Sequence, residues 1–155
     1  MPRSEDSIAL MPAPYGSELY RASLKLRDEV LRQPLGLTLT AEELADDAFR
    51  THFCAVADGA VVGSVSLRPV DQQTLQLKQM AVTEARRGEH IGARLLAFAE
   101  AHARGEGYRV IVLHARLGAD GFYARFGYGC EGEPFDENTI PHIKMTKRIM
   151  LFFDA

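Results

Sequence analysis

The 155-residue sequence predicts a mixed α/β fold whose sheet is covered by helices on both sides. Three observations carry that expectation. Asp58-Gly59 joins two β-rich runs as an early hairpin, and later strand-like runs are separated by segments of helical period. The nearly all-apolar "RVIVLHA" suits a central strand buried on both faces.

Taken in order, a first strand is expected near residues 7–10. Ser17 then caps a helix carrying Leu19, Leu24, Leu26, Val30 and Leu31, which should end before Pro34 because proline lacks an amide hydrogen and clashes with the preceding turn. Thr40 followed three residues on by Glu43 is a capping box, and it starts a short helix through about Phe49. The hairpin follows. Within residues 75–82, Leu75 and Leu77 share one parity while Met80 and Val82 share the other. A regular half-buried strand alternates strictly, so this run is either buried on both faces or shifted in phase by a bulge between Leu77 and Met80. Ile91, Leu95, Phe98, Ala99 and His102 recur at helical spacing until Gly105 and Gly107. Beyond "RVIVLHA", Ala119, Phe122 and Phe126 mark the apolar stripe of one more short helix, stopped by Gly127. Two strand-like runs, about 128–133 and 140–151, close the chain.

A single domain over residues 1–155 accommodates this order, and 46% hydrophobic residues supply a sizeable core without room for a second. The formal net charge of −3 argues against a nucleic-acid partner, which needs a concentrated basic surface. "MPRSEDSIALMP" lacks the apolar stretch of a signal peptide and no run approaches membrane-spanning length, so a cytoplasmic protein with no membrane partner is expected. Cys54 and Cys130 lack CxxC spacing, and neither a metal site nor a disulfide framework is expected.

"ARRGEHIGA" lies between the strand ending at Val82 and the helix from Ile91. The unpaired amides of a helix's first turn carry partial positive charge, so such a turn can hold an anion. Gly88, Gly92 and Ala93 give clearance, and Arg86 or Arg87 adds charge. A plainer reading is that Gly92 lets helix pack on strand and the arginines are solvated. The sequence has no G-x-x-x-x-G-K-[ST], which argues against a P-loop nucleotide-binding domain.

Together, "QMAV", "ARRGEHIGARLL" and "FYARFGY" resemble, in kind and order, the acetyl-CoA-dependent N-acetyltransferases of the GNAT superfamily, over residues 52–147. "EPFDENTIPHIKM" is similar to the superfamily's ElaA-like branch. The resemblance implies a mostly antiparallel central sheet, a bulged strand at 75–82 splaying from residues 109–115, acetyl-CoA as co-substrate and no metal. Its pyrophosphate signature falls on Arg87, Gly88, Glu89, His90, Ile91 and Gly92, followed by Ala93. His90 stands where the family has glycine, and histidine tolerates a left-handed backbone better than β-branched residues do. The main chain at Met80, Ala81 and Val82 is implied to meet the pantetheine arm, the Val82 amide also polarising the thioester carbonyl. Arg116, seven residues before Tyr123, replaces an asparagine that often contacts this arm; a substitute donor and a plain surface charge are both open readings.

Direct acyl transfer needs a neutral amine, a polarised carbonyl and a donor for the departing thiolate. The resemblance implies Tyr123 as that general acid, and beside Phe122 it stands at the edge of a helical stripe, where a phenol can face a cleft. For the base, His114 ends a buried strand, His142 lies in "IPHIKM", and Glu137 is a carboxylate alternative acting through water. Each also has a structural reading, the histidines as hydrogen-bonded core residues and Glu137 as part of a solvated acidic loop with Glu131, Glu133 and Asp136. A functional loop of that charge would favour a cationic amine. His52 and His102 are assigned to structure or surface. The competing class is a non-catalytic module that binds CoA or an acyl-CoA. The acceptor, a small-molecule or peptide amine, has no sequence code here. The ending "IMLFFDA" suits either pairing with a second copy in a homodimer or docking on its own core.

Overall fold

The computed structural model describes residues 7–149. Its strands are β1 (Ile8–Pro12), β2 (Thr51–Ala57), β3 (Ala60–Pro69), β4 (Thr74–Val82), β5 (Val110–Arg116), β6 (Gly129–Glu137) and β7 (Ile140–Arg148). They form one sheet in the order β1-β2-β3-β4-β5-β7-β6, antiparallel at every pairing except the parallel β4–β5. The helices are α1 (Glu18–Arg27), α2 (Ala41–Asp46), α3 (Ile91–Gly105) and α4 (Asp120–Ala124). β3 is buried on both faces from Val62 to Leu67, because α1 and α3 both pack against it. The approach of α3 depends on Gly63, where an added Cβ would stand 2.9 Å from both Ile91 and Leu95.

Several local expectations hold. Asp58 and Gly59 take φ +52° and +77°, the double left-handed geometry of a tight hairpin turn. The Thr40–Glu43 capping box is formed in both directions. Of the two readings of residues 75–82, the bulge is the observed one. β3 advances two residues from Ser64 to Ser66 while β4 covers three from Ala81 to Lys78, and the extra residue Gln79 takes φ +57°. Met80 and Val82 thereby return to the face of Leu75 and Leu77 and pack on the main core.

Other expectations are corrected. The buried face of α1 carries Tyr20, Ser23, Leu26 and Arg27 rather than an all-leucine stripe, since the polar members find buried partners. Helical structure does not end before Pro34; it continues as a π-helical turn (Asp28–Arg32) and a 3-10 turn (Gln33–Leu35) that stops at left-handed Gly36. β5 is not covered on both faces, for only Ile111, Leu113 and Ala115 are buried and the alternate residues are half-buried, His114 and Arg116 among them lining a cleft. In α4 the buried residue is Tyr123, while Phe126 is exposed, because the helix is too short for a full stripe. The supposed acidic loop is the edge strand β6, which passes through Pro134 at a register shift between Glu131 and Phe135. The apolar ending beyond Ile149 lies outside the described residues.

Candidate functional site

Leu77 pairs with Leu113 at the end of the parallel β4–β5 ladder, which spans only Thr74–Leu77 and Val110–Leu113. Past that point β4 bulges while β5 follows β7 to Arg116, so the two strands part. The gap opens a cleft of about 520 Å³ walled by Met80, Val82, Gly92, Ala115, Phe122 and Tyr123. It runs into a second cleft of about 610 Å³ over the start of α3, sharing Val82, Arg87, Gly92 and Phe122 with it. At its other end stand His114, Glu137 and His142.

The turn into α3 is shaped for an open helix end. Gly88 takes φ +90° and His90, the N-cap, takes φ +62° without donating or accepting a side-chain cap. The first amides of α3 therefore have no side-chain cap and no intrahelical partner. Gly92 is not forced by close helix packing, because an added Cβ would meet Phe122 at 3.5 Å and Val82 at 3.9 Å, ordinary contact distances. It would instead occupy the space the two clefts share. Ala93 and His90 also line this end, whereas Ile91 turns its side chain into the core at 1% exposure.

The two arginines of the turn separate. Arg86 is buried, 2.6 Å from Asp58 and 3.1 Å from Glu89, so it braces the hairpin turn and is withdrawn as an anion ligand. Arg87 is exposed and opens onto both clefts. The Glu89 side chain belongs to this brace, so only its main chain faces the turn's open end. Ala81 is buried on the face opposite Met80 and Val82 and offers the site only its main chain.

Tyr123 is 8% exposed and its ring stands edge-on to Phe122 at 5.0 Å and to Tyr128 at 5.9 Å. Tyr128 is pinned by donating to Glu100 of α3 at 2.8 Å. The Tyr123 hydroxyl makes no hydrogen bond among the described residues, and burial pushes its pKa up to about 12. It stays protonated at neutral pH. Arg116 donates to the Leu31 carbonyl at 2.8 Å and lines the cleft half-buried, so it is not a plain surface charge.

The three base candidates, on three different strands, form one cluster. His114 Nδ1 lies 2.9 Å from Glu137 Oε1, and His142 Nε2 lies 3.6 Å from Glu137 Oε2. His142 Nδ1 is 2.9 Å from the Ile140 carbonyl, which fixes the ring and turns Nε2 toward the carboxylate. Phe135 lies edge-on to His114 at 5.0 Å and stacks on His142 at 6.2 Å. His52 hydrogen-bonds the Asp47 carbonyl and His102 packs on Phe53, both away from this cluster.

Sequence reasoning missed a polar network behind the bulge. The Gln79 side chain accepts from Arg27 and from Arg50 (3.0 Å) and donates to Glu43 at 2.7 Å. Arg32 joins Glu43 at 2.6 Å, and Arg27 joins buried Asp47 at 2.8 Å. The phase slip located the bulge, but no spacing signals partners 36 and 52 residues away.

Comparison with known proteins matches the chain to the acetyltransferase (GNAT) family over residues 15–128. An uncharacterized N-acetyltransferase of Bacillus subtilis (strain 168), YitI, is 30% identical over 134 residues, 81% of this chain and 89% of that protein. A probable N-acetyltransferase 14 of Xenopus tropicalis is 38% identical over 76 residues, and the match spans only 37% of its length. Among solved structures, Escherichia coli ElaA aligns with TM-score 0.80 at 21% identity, covering 91% of this chain and 99% of that one. A GNAT family acetyltransferase from Elizabethkingia anophelis with acetyl-CoA bound aligns with TM-score 0.73 at 21% identity, covering 94% and 100%. These last two likenesses speak to the fold. No helix among the described residues is long and apolar enough to cross a membrane.

Proposed function

This chain belongs to the acetyltransferase (GNAT) family, and on that premise we propose that it moves the acetyl group of acetyl-CoA to a primary amine by direct attack. The observation that carries the reading is the continuity of one cleft. It begins at the open α3 N-terminus, passes the unpaired edge of β4, and ends between Tyr123 and the His114–Glu137–His142 cluster. A solved neighbour in fold binds acetyl-CoA, which supports the choice of co-substrate.

The amides from Gly88 through Ala93, with Arg87, meet the diphosphate as donors at a helix N-terminus. The main chain around Met80, Ala81 and Val82 has lost its β5 partner and so offers unpaired N–H and C=O groups to an amide-bearing arm. An amide from this edge polarises the thioester carbonyl. Tyr123 donates to the departing thiolate. With its phenol at about 12, full proton transfer to a thiolate of ordinary basicity is uphill by roughly 5 kcal/mol, so the hydroxyl acts as a hydrogen-bond donor more than as a proton source. His142 or His114, oriented by Glu137, takes the proton of the attacking amine.

Thermal unfolding with acetyl-CoA, CoA, ATP and NAD tests the cradle, and thiol release on a panel of amines tests the chemistry. A ligand at 100 times its Kd adds about 2.7 kcal/mol of stability, so a shift of several degrees with acetyl-CoA and CoA, and none with ATP or NAD, is expected. Binding without thiol release on any amine would instead favour a non-catalytic acyl-CoA module.

A further inference from the structure

Beside the main cleft lies another of about 380 Å³, sharing Gln79, His114, Glu137 and Asn138 with it and floored by Lys78. Leu77 and Leu113 are the last register partners of the parallel ladder, and the next residue of each strand, Lys78 and His114, lines this second cleft. Glu137, bonded to His114, completes a base-and-carboxylate pair in the cleft that Lys78 lines.

The cations of this region are not equivalent. Arg32 is spent on Glu43 and the Leu31 carbonyl, Arg50 on Asp46 and Gln79, and Arg116 on the Leu31 carbonyl. The Lys78 ammonium is half-buried with no hydrogen bond or ion pair among the described residues. Burial, followed by the field of Arg50, outweighs the opposing fields of Asp46 and Glu137 and holds its pKa below the ordinary value, a penalty that an arriving anion would relieve. Of the acids in the same cleft, Glu43 is already neutralised by Arg32, Glu42 is exposed to solvent, and Glu137 holds His114.

Building on the acetyltransferase reading, we infer that the acceptor is a free α-amino acid, its amine at the His114–Glu137 pair and its carboxylate on Lys78. The shared cleft carries the choice. An α-amino acid holds amine and carboxylate on one carbon, so its receptors must line one small cleft, as Lys78, His114 and Glu137 do. A polyamine or aminoglycoside would bring a second cation against Lys78 and be repelled.

The test is thiol release from acetyl-CoA with free L-amino acids, their methyl esters and simple diamines, on the wild-type chain, Lys78→Met and Lys78→Arg. At least one free amino acid should be turned over with kcat/KM tenfold or more above its ester. Lys78→Met should bring that ratio toward one, chiefly through KM, and Lys78→Arg should restore it. Equal use of esters or diamines, a ratio unmoved by Lys78→Met, or mass-spectrometric acetylation of Lys78 itself would overturn the inference while leaving the acetyltransferase reading intact. No thiol release with any amine, while acetyl-CoA still shifts the thermal midpoint, would overturn both.

Discussion

Tyr123 buries a phenol whose hydroxyl has no hydrogen-bond partner among the described residues, and that makes its removal a clean experiment. Tyr123→Phe keeps the ring packing on Phe122 and Tyr128 and deletes a buried polar atom that was paying desolvation. Stability should therefore stay within about 0.5 kcal/mol of wild type or rise, while kcat falls about 100-fold with the KM for acetyl-CoA little changed. Denaturant melts and thiol-release kinetics on the same preparation check both halves. Two glycines give a contrast of the same kind. Gly63→Ala drives a Cβ to 2.9 Å from Ile91 and Leu95 and should cost about 1–3 kcal/mol. Gly92→Ala meets only ordinary contacts in the first turn of α3, so it should leave stability unchanged or raise it, yet weaken acetyl-CoA binding measured by calorimetry. Residue identities at this scale were legible in the sequence, since Tyr123, His114, Glu137 and His142 all line the cleft. Their convergence was not legible. The β6–β7 hairpin sets Phe135 opposite His142 and Glu137 opposite Ile140, and the β5–β7 ladder, between strands separated in sequence by α4 and β6, sets Arg116 opposite His142.

The bulge in β4 is the element that makes the site, because it ends the ladder with β5 and frees the chain at Met80 and Val82. Its existence was written in the parity slip between Leu77 and Met80. What holds it was not, since Gln79 is an ordinary strand residue until Arg27, Glu43 and Arg50 arrive from α1, α2 and the turn after it. The same blindness misread α1, where Tyr20 and Arg27 look like surface residues but close on Asp47, which is 0% exposed. Substitution at Gln79 separates backbone from tether. Both Gln79→Ala and Gln79→Gly lose the three side-chain hydrogen bonds, but only glycine suits φ +57° without strain. Gln79→Ala should thus be the less stable by about 1–2 kcal/mol in denaturant melts. If the tether aligns the acceptor side of the cleft, Gln79→Gly should raise the KM for the acceptor amine more than it raises that for acetyl-CoA.

At the scale of the whole molecule, the wing formed by α1, α2 and the turn after it is knit together by ion pairs and tied to the sheet through Arg68–Asp46 and the hydrogen bonds of Gln79, whereas α3 packs on the apolar core. This asymmetry fixes how stability responds to acid. Burial works to raise the carboxyls of Glu43 and Asp46, but the guanidinium contacts, from Arg32 on Glu43 and from Arg68 and Arg50 on Asp46, outweigh it and hold both below their ordinary values. A carboxylate depressed in the folded state contributes stability above its unfolded pKa and loses it as pH falls through the folded value. His52 works in the same direction. Burial holds it below its ordinary value, so below about pH 6.5 the unfolded chain binds a proton that the folded chain refuses. The unfolded state binds more protons in both ranges, and stability must therefore decline on acidification in two stages. The first, shallow stage begins below about pH 6.5 and belongs to His52, so His52→Gln should remove it. The second, steeper stage sets in below about pH 4, and it should first release the α1–α2 wing while α3 stays protected. Thermal midpoints measured from pH 8 to 3, with hydrogen exchange at the acid end, check this order. Simultaneous loss of protection in α1 and α3 would show that the charge network and the apolar core fail as one unit.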